Sequence, residues 1–320
     1  MTERVRYPSD PPILIKSVVV HALFPETVRD PAALELALRG IADERFYDAV
    51  EFYYEGDPSG IPAIRSALEA FRASPVFLGG AYLKQHRLSL GSLAAPRRRH
   101  AIDVAKRLVD TAHAFGCGKL LVPSGETLPT REERDASYGL LVESLGELCR
   151  YAERATKGAV RITLEPFNDR GEPYYLIGPS SLAKRLADEV AAQVDNFELT
   201  YDFSHMLQLG EDPLESLSVL SPHVGHIHLA NCYLADPSHP MYGDKHPPFD
   251  YPGGEATEER IRAFVRDALR LGRISRSPCT VGVEVITPEG EDGRALYERT
   301  TALFRRVATD HRDHGEEVGT

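Results

Sequence analysis

Short apolar, β-branched runs alternate with longer stretches of helical periodicity along the chain. Eight such runs occur, at residues 13–20, 47–53, 75–80, 119–122, 160–165, 197–202, 224–229 and 280–285. Each is four to eight residues long and lies between amphipathic segments, which is the pattern of parallel strands covered on both faces. Residues 98–114 place Ile102, Ala105, Leu108, Val109 and Ala112 at helical spacing, and residues 138–155 do the same with Leu141, Leu145, Leu148 and Tyr151. Pro179-Ser180-Ser181 predicts a helix start with hydroxyl caps, and Thr257-Glu258-Glu259 predicts another. Eight βα units close more readily into a barrel than they extend an open sheet. The expected fold is therefore α/β, a (β/α)8 TIM barrel forming one domain over residues 13–308, with polar tails at 1–12 and 309–320.

One stretch breaks the alternation. Between the seventh run and its helix, residues 231–255 form a long loop rich in Pro, Gly, Asp and His, including Gly243-Asp244-Lys245-His246-Pro247-Pro248-Phe249. Structureless loops of this length inside a compact domain are usually functional. On a barrel, this one falls on the catalytic face.

Composition narrows the function classes. The 320 residues carry 37 basic and 48 acidic side chains, a net charge of −11, which argues against nucleic-acid or anionic-membrane partners. No apolar run approaches the roughly 18 residues of a membrane span, and the N-terminus lacks the apolar core of a signal peptide. Cys117, Cys149, Cys232 and Cys279 show no CxxC spacing. A cytoplasmic protein with reduced thiols is expected.

The chemistry-bearing residues lie at the strand ends. Glu165, Asp202, His228 and Glu284 each follow an apolar run, so their side chains project from the C-terminal rim toward the axis. Three carboxylates converging there would repel one another unless a cation lay between them. Three oxygens and one imidazole nitrogen suit Mn²⁺, Mg²⁺ or Co²⁺ better than a structural zinc site. His205 follows Asp202 in a D-x-x-H step, and His226 shares a strand face with His228. His226 reads either as a substrate contact or as a core histidine. Glu51, with Tyr53, Tyr54 and Glu55, either lines the pocket or packs beneath it. Lys245, His246 and Phe249 are the loop residues expected to reach substrate as parts of a lid. His21, at the end of the first run, reads as structural. No P-loop, dinucleotide fingerprint or nucleophile elbow is present.

Glu165-Pro166, Tyr201-Asp202-Phe203-Ser204-His205, Gly225-His226-Ile227-His228-Leu229 and Glu284 resemble the metal-binding segments of the xylose isomerase-like barrels, in particular the sugar isomerase/epimerase branch that includes the ketose 3-epimerases. The resemblance runs in order from residue 119 to 285. It implies one divalent ion, Mn²⁺ foremost with Mg²⁺ or Co²⁺ as alternatives, held by Glu165, Asp202, His228 and Glu284. It also implies that Glu165 and Glu284 exchange protons with the substrate and that His205 contacts substrate oxygens. Those epimerases carry an arginine six residues after the metal histidine, where this chain has Leu234. The long loop is similar instead to one in barrels acting on 3-oxidised sugars, among them the larger subunits of C-glycoside deglycosidases, which pair with a small β-rich subunit.

Three functions are thus expected in turn. The first is an isomerase or epimerase abstracting a proton α to the carbonyl of a sugar or keto-sugar. The second is a lyase cleaving the C–C bond of 3-oxidised C-glycosides. The third is a non-catalytic or abasic-site endonuclease-like barrel, which the negative charge disfavours. The partners implied are a sugar or glycoside substrate and either a small β-rich subunit or further copies of this chain.

Overall fold

A computed structural model describes residues 13–168, 175–274, 276 and 278–309. Apart from Thr309, which ends the last helix, the two expected tails lie outside the described residues. Eight parallel strands form the sheet: β1 (Leu14–Val18), β2 (Glu51–Phe52), β3 (Val76–Phe77), β4 (Lys119–Pro123), β5 (Arg161–Glu165), β6 (Phe197–Asp202), β7 (Val224–Ala230) and β8 (Cys279–Glu284). Their order is β1-β8-β7-β6-β5-β4-β3-β2, and a parallel bridge from Val19 to Glu51 joins the two ends. The fold is the expected TIM barrel. The second and third strands are only two residues each, shorter than the apolar runs that predicted them. Asp48 and Ala49 instead turn their amides to the Lys16 carbonyl, and Gly80 already begins a helix, Gly80–Gln85.

Helices cover the outside of the sheet. The helix Ala95–Phe115 buries Ile102, Ala105, Leu108, Val109 and Ala112, as its periodicity predicts, and ends at Gly116 with φ +79°. The helix Arg131–Thr156 starts with a reciprocal capping box between Thr130 and Glu133. Thr257 caps the helix Glu258–Arg270 through the Arg260 amide. The expected hydroxyl cap at Ser180 is not made. Pro179 occupies the cap position of the helix Ser180–Ala191, and the Ser180 amide is satisfied by Glu211 Oε1 at 3.0 Å.

A register shift in the β6–β7 ladder positions the functional face. Leu199 pairs with Val224, but Thr200 pairs with His226, so Gly225 is skipped and Asp202 lands opposite His228. Without that extra residue Asp202 would pair with Ile227, and the two polar ends would point to different faces. The bulge has a local cause. The Glu198 carboxylate lies where a Gly225 side chain would be, 2.4 Å from the ideal Cβ position. Lys119 Nζ holds this carboxylate at 2.6 Å and Arg161 Nε at 3.2 Å, which closes the N-terminal end of the barrel. Gly225→Ala must displace a buried, doubly paired carboxylate. We expect it to lower stability by about 1–3 kcal/mol, read as a reduced urea midpoint; an unchanged midpoint would show that Glu198 is free to move.

Candidate metal centre

Glu165, Asp202 and Glu284 are the last residues of β5, β6 and β8, His228 lies two residues before the end of β7, and their ligand atoms all lie within 4.8 Å of one another. His228 is the hub. Its Nε2 is 2.9 Å from Glu51 Oε2, so Nε2 carries the hydrogen and donates it. Its Nδ1 faces Glu284 Oε2 at 2.9 Å, Glu165 Oε1 at 3.3 Å and Asp202 Oδ2 at 4.0 Å. A nitrogen lone pair and three carboxylates aimed at one point require a cation. In the metal-free protein that cation is a proton. Burial disfavours it, but the charges of Glu51 and Glu284 outweigh burial and hold the His228 pKa well above the ordinary imidazole value.

Asp202 shows why a proton alone is not enough. As the N-cap of the helix Phe203–Leu209, its Oδ1 accepts from the amides of Ser204 (2.7 Å) and His205 (3.0 Å) and from the Ser204 hydroxyl (2.6 Å). Its Oδ2 is fully buried and, among the described residues, has no hydrogen-bond partner. Leaving such an oxygen bare costs about 1–3 kcal/mol or more. One oxygen is therefore anchored by the backbone while the other stays free to coordinate, and the donor set of three oxygens and one nitrogen fits a hard or borderline divalent ion.

The two glutamates differ in environment. Burial pushes the Glu165 carboxyl up. For Glu284, burial acts the same way, but His228 and His246 overcome it and hold the carboxyl down at about 2.

Below this layer lies a second polar layer that the sequence assigns only in outline. Glu51 and His226, each read from the sequence either at the substrate or packed beneath it, are both fully buried inside the barrel. Glu51 Oε1 accepts from Ser17 Oγ, and Oε2 accepts from His228. His226 Nε2 lies 3.0 Å from the same Oε2, and its Nδ1 is 3.0 Å from Thr200 Oγ1. The carboxylate fits because Gly282, which pairs with both Ser17 and His228, has no side chain; a Cβ there would stand 2.0 Å from Glu51 Oε1. Glu51 is thus a positioning residue that keeps a hydrogen on His228 Nε2 and leaves Nδ1 turned to the three carboxylates. We expect Glu51→Ala to weaken Mn²⁺ affinity by about 10–100-fold in a calorimetric titration, with Glu51→Gln, which keeps an acceptor for His228, recovering part of the loss. Equal affinity in all three proteins would remove this role.

The loop after β7 reaches back over the mouth. Asn231 clasps its two ends: Oδ1 accepts from the Cys232 and Ala256 amides, and Nδ2 donates to the Pro248 carbonyl. This brings His246 into the buried site, with φ +42° and its carbonyl taken by the Ile286 amide. It also brings Asp244 Oδ1 to 3.1 Å from His205 Nε2. His205 Nδ1 lies 3.0 Å from the Pro166 carbonyl, and its ring sits 4.5 Å from that of Phe167. Lys245 is exposed. Phe249 departs from its expected place at the substrate: it turns outward into the apolar core, at a cleft shared with Leu296 and Leu303 of the last helix.

Lys84 was not singled out from the sequence. It stands on the short helix after β3, with Nζ 4.5 Å from the Phe167 ring centre, 5.6 Å from that of Tyr175 and 3.9 Å from Asp244 Oδ2. The only signal available was its position just beyond a strand end. His21 also borders the site. Burial lowers its pKa to about 4, and its Nδ1 has no hydrogen-bond partner among the described residues.

A family model described as xylose isomerase-like TIM barrel matches residues 42–273, well over half of the chain. Similar solved structures include an L-ribulose 3-epimerase (15% identity, TM-score 0.71, 97% of this chain and 99% of the other). Another is 3-keto-D-glucoside 4-epimerase, YcjR, from E. coli (18% identity, TM-score 0.64, 91% and 99%). A third is the IolI protein with a bound zinc atom (16% identity, TM-score 0.63, 92% and 97%). No match appears among curated protein sequences. At these identities the structural likeness is one of fold, whereas the sequence match over 42–273 identifies the family. The chain belongs to the xylose isomerase-like TIM barrel family.

Proposed function

We propose that the protein is a divalent-metal-dependent enzyme of carbohydrate metabolism that moves a proton on the carbon beside the carbonyl of a sugar or keto-sugar, an isomerase/epimerase-type reaction. The observation that carries this reading is the convergence of Glu165, Glu284 and the unpartnered Asp202 Oδ2 on Nδ1 of His228. A dication held by these four residues would stabilise the negative charge that develops on the substrate's oxygens. Mn²⁺ is the first choice for this donor set, with Mg²⁺ or Co²⁺ as alternatives.

The chain's own residues supply the proton transfers. Glu284, held ionised by His228 and His246 at the same nitrogen, accepts the proton from carbon. Glu165, whose burial favours its protonated form, returns a proton to that carbon, and the two roles exchange in the reverse reaction. His205, fixed at Nδ1 by the Pro166 carbonyl, presents Nε2 to a substrate oxygen, and Phe167, Tyr175 and Lys84 form the adjoining wall. Two features favour a keto-sugar over a free ketohexose. Leu234 stands where the ketose 3-epimerases carry arginine, and one neighbour in fold is named as an epimerase of a 3-keto-glucoside.

The test is solvent exchange. Mn²⁺-loaded protein incubated in D₂O with a 3-keto-glucoside is expected to place one deuterium on the carbon next to the carbonyl, read by mass spectrometry and NMR. Absence of label from 3-keto-glucosides and ketohexoses alike would refute the reading. Release of the aglycone from a 3-oxidised C-glycoside would move the reaction to the lyase class.

A further inference from the structure

Lys84 sets a cation in the mouth among the acids. It reaches there because β3 gives way at once to the helix Gly80–Gln85, and two glycines let that helix lie against β4. A Cβ on Gly79 would stand 2.6 Å from Leu120 Cδ1, and one on Gly80 3.2 Å from Leu121 Cδ2. From this helix the ammonium lies 4.5 Å from the Phe167 ring centre and 5.6 Å from that of Tyr175, and the two rings stack 4.2 Å apart. Its nearest charged partner among the described residues, Asp244 Oδ2, is 3.9 Å away, beyond hydrogen-bond length. The other oxygen of that carboxylate already faces His205 Nε2 and His246 Nε2, at 3.1 and 3.0 Å. The Lys84 side chain keeps 38% of its surface exposed, whereas Phe167 and Tyr175 beside it are buried. Burial disfavours its charge, but Asp244 outweighs burial and raises its pKa. Lys84 therefore binds charge and moves no proton.

We infer that Lys84 is a specificity-determining residue that receives a carboxylate carried by the substrate, which makes the substrate a keto-sugar acid. The inference rests on the proposed reaction and names its substrate class. Phe167 connects the two ends of such a ligand. It follows the proton-transferring Glu165 by two residues, and its ring centre is 4.5 Å from that of His205 and 4.5 Å from the Lys84 ammonium. One hexose-sized molecule, with its carbonyl at the four-residue centre and an oxygen at His205, extends an exocyclic group to Lys84. A plain structural tether between Lys84 and the long loop would bring the ammonium onto Asp244 at hydrogen-bond length. At 3.9 Å, with the Tyr175 hydroxyl taking at most one of three hydrogens, donors are left over for a ligand. Charge selects the anion. Glu51, Glu165, Asp202, Asp244 and Glu284 share this region, so a dianionic phosphate is repelled about twice as strongly as a carboxylate. Lysine offers one compact charge, which suits a single carboxylate, and not the fork with which arginine grips phosphate.

The test is binding, which needs no turnover. The full chain, loaded with Mn²⁺, is titrated calorimetrically with methyl 3-keto-glucoside, the matching 3-keto-glucuronoside and the 6-phosphate of the first. Wild type is expected to bind the glucuronoside about 10–100-fold more tightly than the neutral glucoside, with the preference shrinking as salt rises. Lys84→Met, which keeps an apolar stem over Phe167, is expected to bring that ratio close to one, and Lys84→Arg to retain most of it. Lys84→Gln serves in place of Lys84→Met should the latter fail to fold. Equal affinity of wild type for the charged and neutral sugars, or a preference that survives in Lys84→Met, overturns the inference. Tighter binding of the phosphate than of the carboxylate overturns the choice of anion. The two readings fail separately. Deuterium exchange without an anion preference leaves the proposed reaction standing, whereas a preference lost in Lys84→Met without exchange on any of the three sugars supports the site and refutes the reaction.

Discussion

Glu165→Gln leaves a folded protein whose turnover of a keto-sugar falls by about 10²–10⁴-fold. The substitution keeps the shape of the side chain and removes its capacity to exchange a proton. Glu165 is buried beside His228, at 3.3 Å, so it has no route to hand its role to water. Because the same carboxylate is a candidate ligand, elemental analysis must accompany the kinetics. A variant that keeps its metal and loses turnover identifies a proton-transfer role, and one that loses both identifies ligation. Full turnover would exclude Glu165 from the chemistry.

The second large effect is on stability. The convergent carboxylates are mutually repulsive until a cation lies among them, so Mn²⁺ is expected to stabilise the native state strongly. Ligand at a thousand times its dissociation constant contributes about 4 kcal/mol. For a domain of this size that corresponds to a rise in melting temperature on the order of 10 °C, measured by calorimetry with chelator and with Mn²⁺. The effect has a pH sign. Burial raises the Glu284 carboxyl, but His228 and His246 outweigh it and depress it from the ordinary 4.5 to about 2. Its ionised form therefore stabilises the fold above about pH 4.5, and that contribution is lost as the pH falls toward 2. Identical melting curves with and without Mn²⁺ at neutral pH would contradict the account.

The barrel was legible because its strands are buried on both faces, which turns hydropathy into punctuation. The strands that carry Glu165, Asp202, His228 and Glu284 coincide with apolar runs to within a residue or two. The second and third apolar runs are longer than β2 and β3 because apolar residues also fill the segment before β2 and the turn after β3. Strand alternation predicts that His226 and His228 share a face, but it does not say which of the two layers reaches the mouth. The answer depends on the skipped Gly225 and on Gly282, both of which yield space to a carboxylate from a distant strand. Glu51 was left between two readings, Lys84 was missed and Phe249 was misplaced for the same reason. Each is positioned by contacts across the barrel or along the long loop, which no local pattern encodes.

All of this depends on a dication seated where four strand ends meet. Anomalous diffraction from Mn²⁺-soaked crystals, recorded at the manganese edge, tests it directly. The account predicts a strong peak contacted by Glu165, Asp202 Oδ2, His228 Nδ1 and Glu284, with His228 Nε2 still bonded to Glu51. A map with no peak at that point, or with the ion bound by a different nitrogen of His228, would contradict it.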